Sequence, residues 1–206
     1  MLIEVSNVLR VVNPSPEFKR WCLKELVLSN PEYTKKIQMR FYVGDTPKTI
    51  TLYEVKGKDI ILPYGLLKSI PQDVLKDTAY EAYFSPIQRV NYDCDVPLYP
   101  YQENAVNGML KARMGILQSA PGSGKTQMGI AIAARLGRKT LWLCHTHDLV
   151  NQSKTRAEQY MSSDLIGTIT EGKINLGTGI TFATVQTMVN IDLKQYKEYW
   201  DCIIVY

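Results

Sequence analysis

The sequence has few cysteines and no long apolar run. Its 206 residues include four cysteines that lie far apart, without the paired spacing of a zinc site or a small disulfide scaffold. We expect them to be reduced and mostly buried. The sequence contains no uninterrupted run of 18 apolar residues, the length needed to span a bilayer, and its first residues lack the pattern of a secretion signal. These absences argue against a membrane protein and lead us to expect a cytoplasmic one.

The composition is that of a globular protein with two domains. Hydrophobic residues make up 45% of the chain and charged residues 21%, and 206 residues are enough for two ordinary cores. Two prolines and a change of pattern at residues 93–100 indicate a linker. We therefore expect an accessory domain over residues 1–97 and a second domain over residues 98–206, in a protein that is monomeric.

The first region combines helical and strand patterns. The segment Glu17–Leu28 has apolar residues at helical spacing after a Ser15-Pro16 start signal. Two β-branched and aromatic segments, Ile37–Val43 and Thr49–Val55, flank a turn-forming cluster and predict a hairpin. The remaining predicted elements are a strand at Asp59–Leu62, a short helix at Tyr64–Ile70 and a strand at Ala79–Phe84. Together these elements predict a small α+β domain.

Positive charge is concentrated in the first part of this region. The net charge of the chain is only +4, but residues 10–58 contain ten Lys or Arg against five acids. Such a surplus is compatible with a phosphate-facing surface and equally with an ordinary solvated face. The charge pattern alone leaves both interpretations open.

The second region alternates strands and helices. Predicted strands at Met114–Gln118 and Thr140–Cys144 are each followed by a helical pattern, at Gly124–Leu136 and Thr146–Tyr160. Further strands are predicted at Leu165–Ile169, Ile180–Thr184 and Cys202–Val205. This order predicts the α/β class, with a parallel sheet covered by helices on both faces and ligands at the carboxyl ends of its strands.

A phosphate-binding loop is predicted between the first of these strands and its helix. It consists of Ser119, Ala120, Pro121, Gly122, Ser123, Gly124, Lys125 and Thr126. The glycines allow the backbone to curl so that N–H groups point at phosphate oxygens near a helix N-terminus. Lys125 would neutralise the β and γ phosphates, and the Thr126 hydroxyl would bind Mg²⁺. Ser119 stands where the usual pattern has glycine. The loop predicts ATP and Mg²⁺ as cofactors.

Several segments around this loop resemble the first RecA-like motor domain of superfamily 2 helicases. The segment 99–105, YPYQENA, resembles the Q motif, and its Gln102 lies 23 residues before Lys125. The resemblance implies that Gln102 contacts the adenine edge, whereas the alternative is a polar residue that caps a helix. Residues 143–152 resemble motif Ia and imply a strand-phosphate contact for Thr146, which also suits a helix N-cap. Residues 181–188 resemble the next motif, in which Thr184 and Gln186 would contact nucleic acid or pack at the strand end.

The two ends of the chain extend the resemblance. Residues 202–205 resemble the Walker B strand, but the family's acidic box and second motor domain are not among the 206 residues. The segments 39–44, 50–53 and 60–67 resemble the accessory domain of UvsW-like phage repair and recombination helicases. That resemblance implies DNA binding by the first domain, with Lys35, Lys36, Arg40, Lys48 and Lys56 as its phosphate contacts.

The sequence therefore predicts the N-terminal part of an ATP-dependent DNA helicase or translocase that acts on duplex or branched DNA. RNA stays open as a substrate, because contacts to the backbone discriminate poorly. Without the acidic box and the second motor domain, we expect the 206 residues to bind ATP weakly and to hydrolyse it negligibly. A nucleotide-regulated DNA-binding module without turnover is the second hypothesis. A P-loop kinase is the third, and the spacing of Gln102 argues against it.

Overall fold

The chain divides into two compact units, Met1–Phe84 and Ser85–Tyr206. The computed structural model describes residues 1–83, 89–112, 114–170 and 172–206. The division comes earlier in the chain than the boundary predicted near residue 97. Tyr92 and Val96 are buried in the core of the second unit, and the Tyr92 hydroxyl donates to the Arg138 carbonyl at 2.7 Å. Residues 89–97 therefore belong with the predicted motor domain.

The first unit is built on a five-stranded sheet. Its strands are β1 (Leu2–Val5), β2 (Val8–Val12), β5 (Glu54–Lys56), β6 (Asp59–Pro63) and β7 (Ala79–Ala82). The spatial order is β5-β6-β2-β1-β7, and β1 pairs with β7 in parallel while the other pairs are antiparallel. A separate ribbon pairs β3 (Val27–Ser29) with β4 (Thr49–Thr51). The mixture of strands and helices is the predicted α+β arrangement.

Helix α1 (Pro16–Glu25) packs on this sheet. The Ser15 hydroxyl accepts a hydrogen bond from Phe18 N at 3.1 Å, and Pro16 occupies the first turn, so the predicted start signal is confirmed. Phe18 and Cys22 face a core that includes Ile3, Leu9 and Leu62. A 3₁₀ helix, Tyr64–Ser69, follows β6 where the short helix was predicted.

The predicted hairpin of residues 37–55 is wrong. Residues Pro31–Gln38 form helix α2, because Asn30 caps its first turn and Lys36 pairs with Glu32 one turn earlier. The later segment supplies β4 and β5, which pair with β3 and β6 and not with each other. Local β-propensity was overridden by a strong helix start and by partners distant in sequence.

The second unit has a mainly parallel sheet. Its strands are β8 (Thr140–Cys144), β9 (Ile166–Thr170), β10 (Lys173–Asn175), β11 (Ile180–Thr184) and β12 (Cys202–Val205), in the order β10-β9-β11-β8-β12. Only β10 runs antiparallel to its neighbour. The helices are α3 (Pro100–Ala112), α4 (Lys125–Leu136), α5 (His147–Ala157) and α6 (Val185–Val189), with 3₁₀ helices at Ser163–Leu165 and Leu193–Tyr196.

Alternate residues of the strands pack on opposite faces of this sheet. Trp142 and Phe182 contribute to one core cluster with residues of α3, α4 and α5, including the buried Met128. Leu141 and Ala183 lie in a second cluster with Met188 of α6. The period of two along each strand thus produces the predicted sheet with helices on both faces.

The strand predicted at Met114–Gln118 is wrong. No strand lies between α3 and α4 in the described part of the chain, and Met114 and Ile116 are exposed. An apolar segment becomes a strand only when a neighbouring strand completes its hydrogen bonds. The sheet ends at β12, and the pairs within the described residues leave this segment without such a neighbour. The phosphate loop is therefore preceded by irregular backbone.

The helices of the described residues are each too short or too polar to cross a bilayer.

Candidate nucleotide-binding and nucleic-acid-binding sites

The predicted phosphate loop is curled and accessible. Gly122 and Gly124 have left-handed backbones, with φ of 76° and 80°, a conformation that side chains with a Cβ rarely adopt. Gly124 is the N-cap of α4 and has no side chain to satisfy the N–H groups of its first turn. Those groups and the positive end of the helix dipole remain available for an anion. This is the local geometry that phosphate binding requires.

The ammonium group of Lys125 lies inside the loop. Its Nζ donates to the carbonyl oxygens of Ser119 at 3.2 Å and Ala120 at 3.0 Å. The hydroxyls of Ser119 and Ser123 are 2.5 Å apart across the loop. The serine that replaces the usual first glycine therefore closes the curl by a hydrogen bond. Phosphate oxygens would compete with these carbonyls for the ammonium protons.

Thr126, the predicted magnesium ligand, donates a hydrogen bond to the Tyr206 hydroxyl at 2.9 Å. Tyr206 follows β12, so this contact joins the start of α4 to the carboxyl end of the sheet. A hydroxyl oxygen suits the oxygen coordination of Mg²⁺. Binding the ion through Thr126 would replace the hydrogen bond to Tyr206.

A cavity of about 260 Å³ adjoins the loop. The lining residues come from the loop, α4, α5 and the end of β12: Gly122, Gly124, Lys125, Thr126, Gln127, Gln152, Arg156 and Tyr206. Sequence analysis missed Gln152 and Arg156. Their spacing of four residues on a predicted helix places them on one face, but only the packing of α5 reveals that this face meets the loop. Arg156 adds a second cation to the cavity that Lys125 also lines.

Gln102 connects the Q-motif segment to the phosphate loop. Its Oε1 accepts from Tyr99 N at 2.9 Å, which is the side-chain return of a capping box at the start of α3. Its Nε2 donates to the Ser123 carbonyl at 2.9 Å, and the residue is buried. The structure thus confirms the alternative interpretation of Gln102, in which its side chain caps a helix. Adenine contact by Gln102 stays a prediction and would use the second amide hydrogen.

Two exposed tyrosines that sequence analysis did not select precede Gln102. The rings of Tyr99 and Tyr101 are parallel, with centroids 6.1 Å apart, and the Tyr101 hydroxyl donates to the Ser123 carbonyl at 3.1 Å. Flat apolar rings beside the phosphate loop are suitable for contact with a nucleobase. The signal in the sequence was an aromatic residue on either side of Pro100.

An ion pair holds α3 against α4. Arg135 makes two parallel hydrogen bonds to Glu103, from Nη1 to Oε1 at 2.6 Å and from Nη2 to Oε2 at 2.8 Å. The hydrogen bond from Arg135 lowers the pKa of the Glu103 carboxyl below its ordinary value. This pair ties the helix that carries Gln102 to the helix that begins at the loop.

The predicted strand-contacting residues lie at the carboxyl ends of β8 and β11. Thr146 is exposed and caps α5, since its hydroxyl accepts from Leu149 N at 3.3 Å. Thr184 is buried and caps α6, with its hydroxyl accepting from Thr187 N at 3.1 Å. Thr184 therefore packs at the end of its strand, which was the alternative to a nucleic-acid contact. Gln186 is exposed, and its Nε2 lies 3.4 Å from His145 Nδ1, which brings the two segments together.

The predicted phosphate contacts of the first unit lie on or near α2 and the short strands. Lys35 and Lys36 are on α2, Arg40 follows that helix, Lys48 precedes β4 and Lys56 ends β5. Lys36 pairs with Glu32 at 2.8 Å, and Lys56 lies 3.5 Å from Glu54. The remaining three have no ion pair among the described residues. Lys35, Arg40 and Lys48 are thus the cations free for an external anion.

The sequence model of the type III restriction enzyme res subunit family, ResIII, matches residues 95–205. The chain belongs to the ResIII helicase family. The ResIII match covers the phosphate loop, the Q-motif segment and every strand of the second unit. The prediction that this chain resembles the N-terminal part of a superfamily 2 helicase is confirmed.

Relatives of this ResIII chain include helicases and translocases. It is 31% identical over 127 residues to the DNA 3'-5' translocase XPB2 of Sulfurisphaera tokodaii, covering 62% of this chain and 25% of that protein. A protein of Acanthamoeba polyphaga mimivirus, whose name describes an ATP-dependent RNA helicase, is 28% identical over 161 residues, covering 74% and 30%. The ResIII chain therefore spans 30% or less of the length of these two relatives.

Solved structures of the UvsW helicase from bacteriophage T4 share the fold. One has a TM-score of 0.69 at 15% identity, and the match covers 99% of the ResIII chain and 81% of the other. A second has a TM-score of 0.67 at 16% identity and covers 96% and 45%. The predicted incomplete RecA-like sheet, preceded by an α+β domain, is confirmed as the fold class.

Proposed function

We propose that this chain is the ATP-binding N-terminal portion of a DNA helicase or translocase that acts on duplex or branched DNA in replication, recombination or repair. The observation that carries the proposal is the curled and accessible loop of residues 119–126, with the Lys125 ammonium inside it and α4 behind it. Membership of the ResIII helicase family and the name of the XPB2 relative support the same reaction class.

Each part of the nucleotide meets a group suited to it. Backbone N–H groups from Gly122 to Thr126 and the Lys125 ammonium hold the β and γ phosphates. The Thr126 hydroxyl would hold Mg²⁺, whose positive charge would offset the negative charge of the phosphates. In this proposal the base contacts Gln102 and the tyrosine rings beside it; Gln102 and Tyr101 both donate to the Ser123 carbonyl of the loop. Arg156 supplies a second positive charge at the cavity.

Nucleic acid is bound by both units in this proposal. Thr146 and Gln186 contact the backbone of one strand at the carboxyl ends of β8 and β11, and the cations on and near α2 contact phosphates of duplex or branched DNA. Both contacts are to the nucleic-acid backbone, which discriminates poorly between DNA and RNA, so RNA stays a second candidate substrate. The protein acts as a monomer in the cytoplasm of a bacterial or phage-infected cell.

A second function is ATP-regulated DNA binding without turnover. Two cations, Lys125 and Arg156, line the cavity and suit the binding of an anionic nucleotide. Nucleotide hydrolysis in P-loop proteins needs acids that hold Mg²⁺ and orient the attacking water. We expect the 206-residue polypeptide to bind ATP and to hydrolyse it negligibly. Gel-shift assays with and without ATP distinguish regulated DNA binding from an incomplete motor.

The decisive experiment is a Lys125→Ala substitution with ATP binding measured by calorimetry. We expect binding to be abolished, because the ammonium is the main counter-charge of the phosphates, while the unfolding temperature and DNA affinity stay unchanged. Lys111→Ala is the matched control, since Lys111 is an exposed lysine on α3 outside the loop. Unchanged ATP affinity in Lys125→Ala would refute the site assignment, and helicase-like turnover by the purified chain would refute the prediction of negligible hydrolysis.

A further inference from the structure

Residues 31–58 form a folded segment without a buried residue. Helix α2 has no buried side chain, and every residue of β4 and β5 is exposed. Hydrogen bonds hold the segment together. Asn30 donates from Nδ2 to the Pro47 carbonyl at 2.8 Å and from its backbone N to the Lys48 carbonyl at 3.0 Å, and Lys36 Nζ donates to Thr46 Oγ1 at 2.6 Å. A segment organised in this way projects its side chains into solvent.

The tip of this segment carries an exposed aromatic pair. Phe41 is 61% exposed and Tyr42 is 90% exposed. Two left-handed residues flank the pair, Arg40 with φ of 57° and Gly44 with φ of 50°. Phe41 N donates to the Lys36 carbonyl at 2.8 Å, and a Cβ on Gly44 would lie 3.3 Å from the Tyr42 ring. The backbone is therefore held in a conformation that presents both rings outward.

Several positively charged residues lie close in sequence to the aromatic pair. Residues 31–58 contain six Lys or Arg against three acids. Arg40 directly precedes the pair, Lys35 lies on the preceding helix turn, and Lys48 follows the loop. None of these three is in an ion pair among the described residues. Large exposed apolar groups on a soluble protein mark a binding surface, and this one is complementary to a polyanion.

Flat apolar rings beside unpaired cations suit one class of polyanion in particular. Unpaired nucleic-acid bases offer faces on which aromatic side chains stack, and their phosphates meet the cations. Inside a duplex those faces are covered by neighbouring base pairs, and they become accessible only in single strands, at ends and at junctions. Acidic proteins offer negative charge but lack flat base faces on which the two rings could stack.

We propose that Phe41 and Tyr42 stack on unpaired bases, so that the accessory domain binds a junction of single- and double-stranded DNA more tightly than plain duplex. The inference rests on the proposed DNA binding of this unit and adds the structure of the DNA that it selects. The lysines and Arg40 supply affinity for any backbone, whereas the aromatic pair supplies the preference for unpaired strands.

The test compares the full 206-residue chain with its Phe41→Ala/Tyr42→Ala double variant. Fluorescence anisotropy measures binding to a blunt duplex, a forked duplex with single-stranded arms and a single strand of the same length. We expect the wild-type chain to prefer the fork. The affinity of the double variant for the fork and the single strand should fall about tenfold or more, because base stacking is lost. Its affinity for the blunt duplex should fall less than about twofold.

Two control variants separate stacking from charge. Tyr80→Ala removes another exposed tyrosine of the same unit and should leave all three affinities unchanged. Lys35→Ala/Lys48→Ala should weaken all three and reduce the dependence of affinity on salt, because fewer counterions are released. Phe41→Ala/Tyr42→Ala should retain the salt dependence. Thermal unfolding checks that every variant is folded, as expected for substitutions of exposed side chains.

The outcomes distinguish this inference from the proposed function. If wild-type protein binds DNA but the double variant keeps its fork and single-strand affinities, the stacking inference is wrong and DNA binding stands. If wild-type protein binds none of the three DNAs, the DNA-binding function itself fails. If the double variant instead changes only self-association in sedimentation experiments, the aromatic pair is a protein interface and the inference is overturned.

Discussion

The side-chain amide of Gln102 donates a hydrogen bond to the Ser123 carbonyl, 2.9 Å away, while its oxygen accepts from Tyr99 N. One buried side chain thus fastens the start of α3 to the phosphate loop. The Q-motif position has a structural role in addition to any contact with the base.

Replacing Gln102 by alanine should loosen the loop. Both hydrogen bonds would be lost and a small cavity left, which costs about 1–3 kcal/mol of unfolding free energy. Gln102→Glu keeps the acceptor for Tyr99 N but turns a carboxylate toward the Ser123 carbonyl. We therefore expect it to weaken ATP binding at least as much as Gln102→Ala does. Urea unfolding and calorimetric titration with ATP measure the two effects. If both variants keep the stability and ATP affinity of wild type, the two hydrogen bonds of Gln102 do not support the loop.

Gly124→Ala should be more damaging than an ordinary glycine substitution. Gly124 has φ of 80°, and an added Cβ would collide with Gln102 Nε2. The left-handed backbone alone costs about 1–2 kcal/mol for alanine. Gly172→Ala is the matched control, because Gly172 has φ of 71° and nothing within 4 Å of the added Cβ.

The collision can be isolated from the backbone cost by a double-mutant cycle. Gly124→Ala should destabilise the chain less in a Gln102→Ala background, where the obstructing amide is gone. Denaturant unfolding of the four proteins gives the coupling free energy. Strict additivity would mean that the loop relaxes away from the added methyl group.

Gly129→Ala should destabilise the second unit. The added Cβ would press on the Trp142 indole, 2.8 Å from Cζ3, where α4 crosses β8. Overpacking of a dense core costs about 1–3 kcal/mol. Gly108→Ala, at an exposed position in α3 with open space around it, should instead stabilise by about 0.5–1 kcal/mol because alanine is the better helix former. Equal effects of the two substitutions in thermal unfolding would contradict the close approach of Gly129 and Trp142.

The buried thiol of Cys22 should make stability fall at alkaline pH. Burial raises its pKa to about 11, above the ordinary value of about 8.5 in an unfolded chain. Between these values the unfolded state releases the proton and the folded state keeps it. The stabilisation is complete below the unfolded pKa and is lost as pH rises toward the folded one, by up to about 1.4 kcal/mol per pH unit.

The measurement is the unfolding free energy of wild type and Cys22→Ala from pH 8 to 10. The variant is less stable throughout because it leaves a cavity, but its decline with pH should be shallower than that of wild type. Parallel curves would show that Cys22 ionises equally easily in both states.

The curled backbone of residues 119–126 could be predicted from sequence because its causes are local. Gly122 and Gly124 allow the left-handed backbone, and Lys125 and Thr126 begin the helix that follows, whatever the rest of the chain does. The start of α1 at Ser15 and Pro16 was predicted for the same reason. In each case the residues that define the feature are neighbours in sequence.

Strand assignments failed where the partner decides the conformation. Residues 114–118 are apolar enough for a strand but have no neighbouring strand in the sheet as described, and residues 49–56 pair with β3 and β6 instead of with residues 37–43. Arg156 was missed for a related reason, because nothing along the chain indicates which face of α5 meets the loop.

The amino-acid sequence alone determined the curled glycine loop at the start of α4, the alternating α/β region and the basic N-terminal segment, because dihedral preferences, periodicity and charge are properties of neighbouring residues. Only the tertiary structure decided that Gln102 braces the loop, that Arg156 faces the same cavity, and that Phe41 and Tyr42 are left in solvent. Those relationships depend on which surfaces pack together, and packing is settled by residues far apart in the chain.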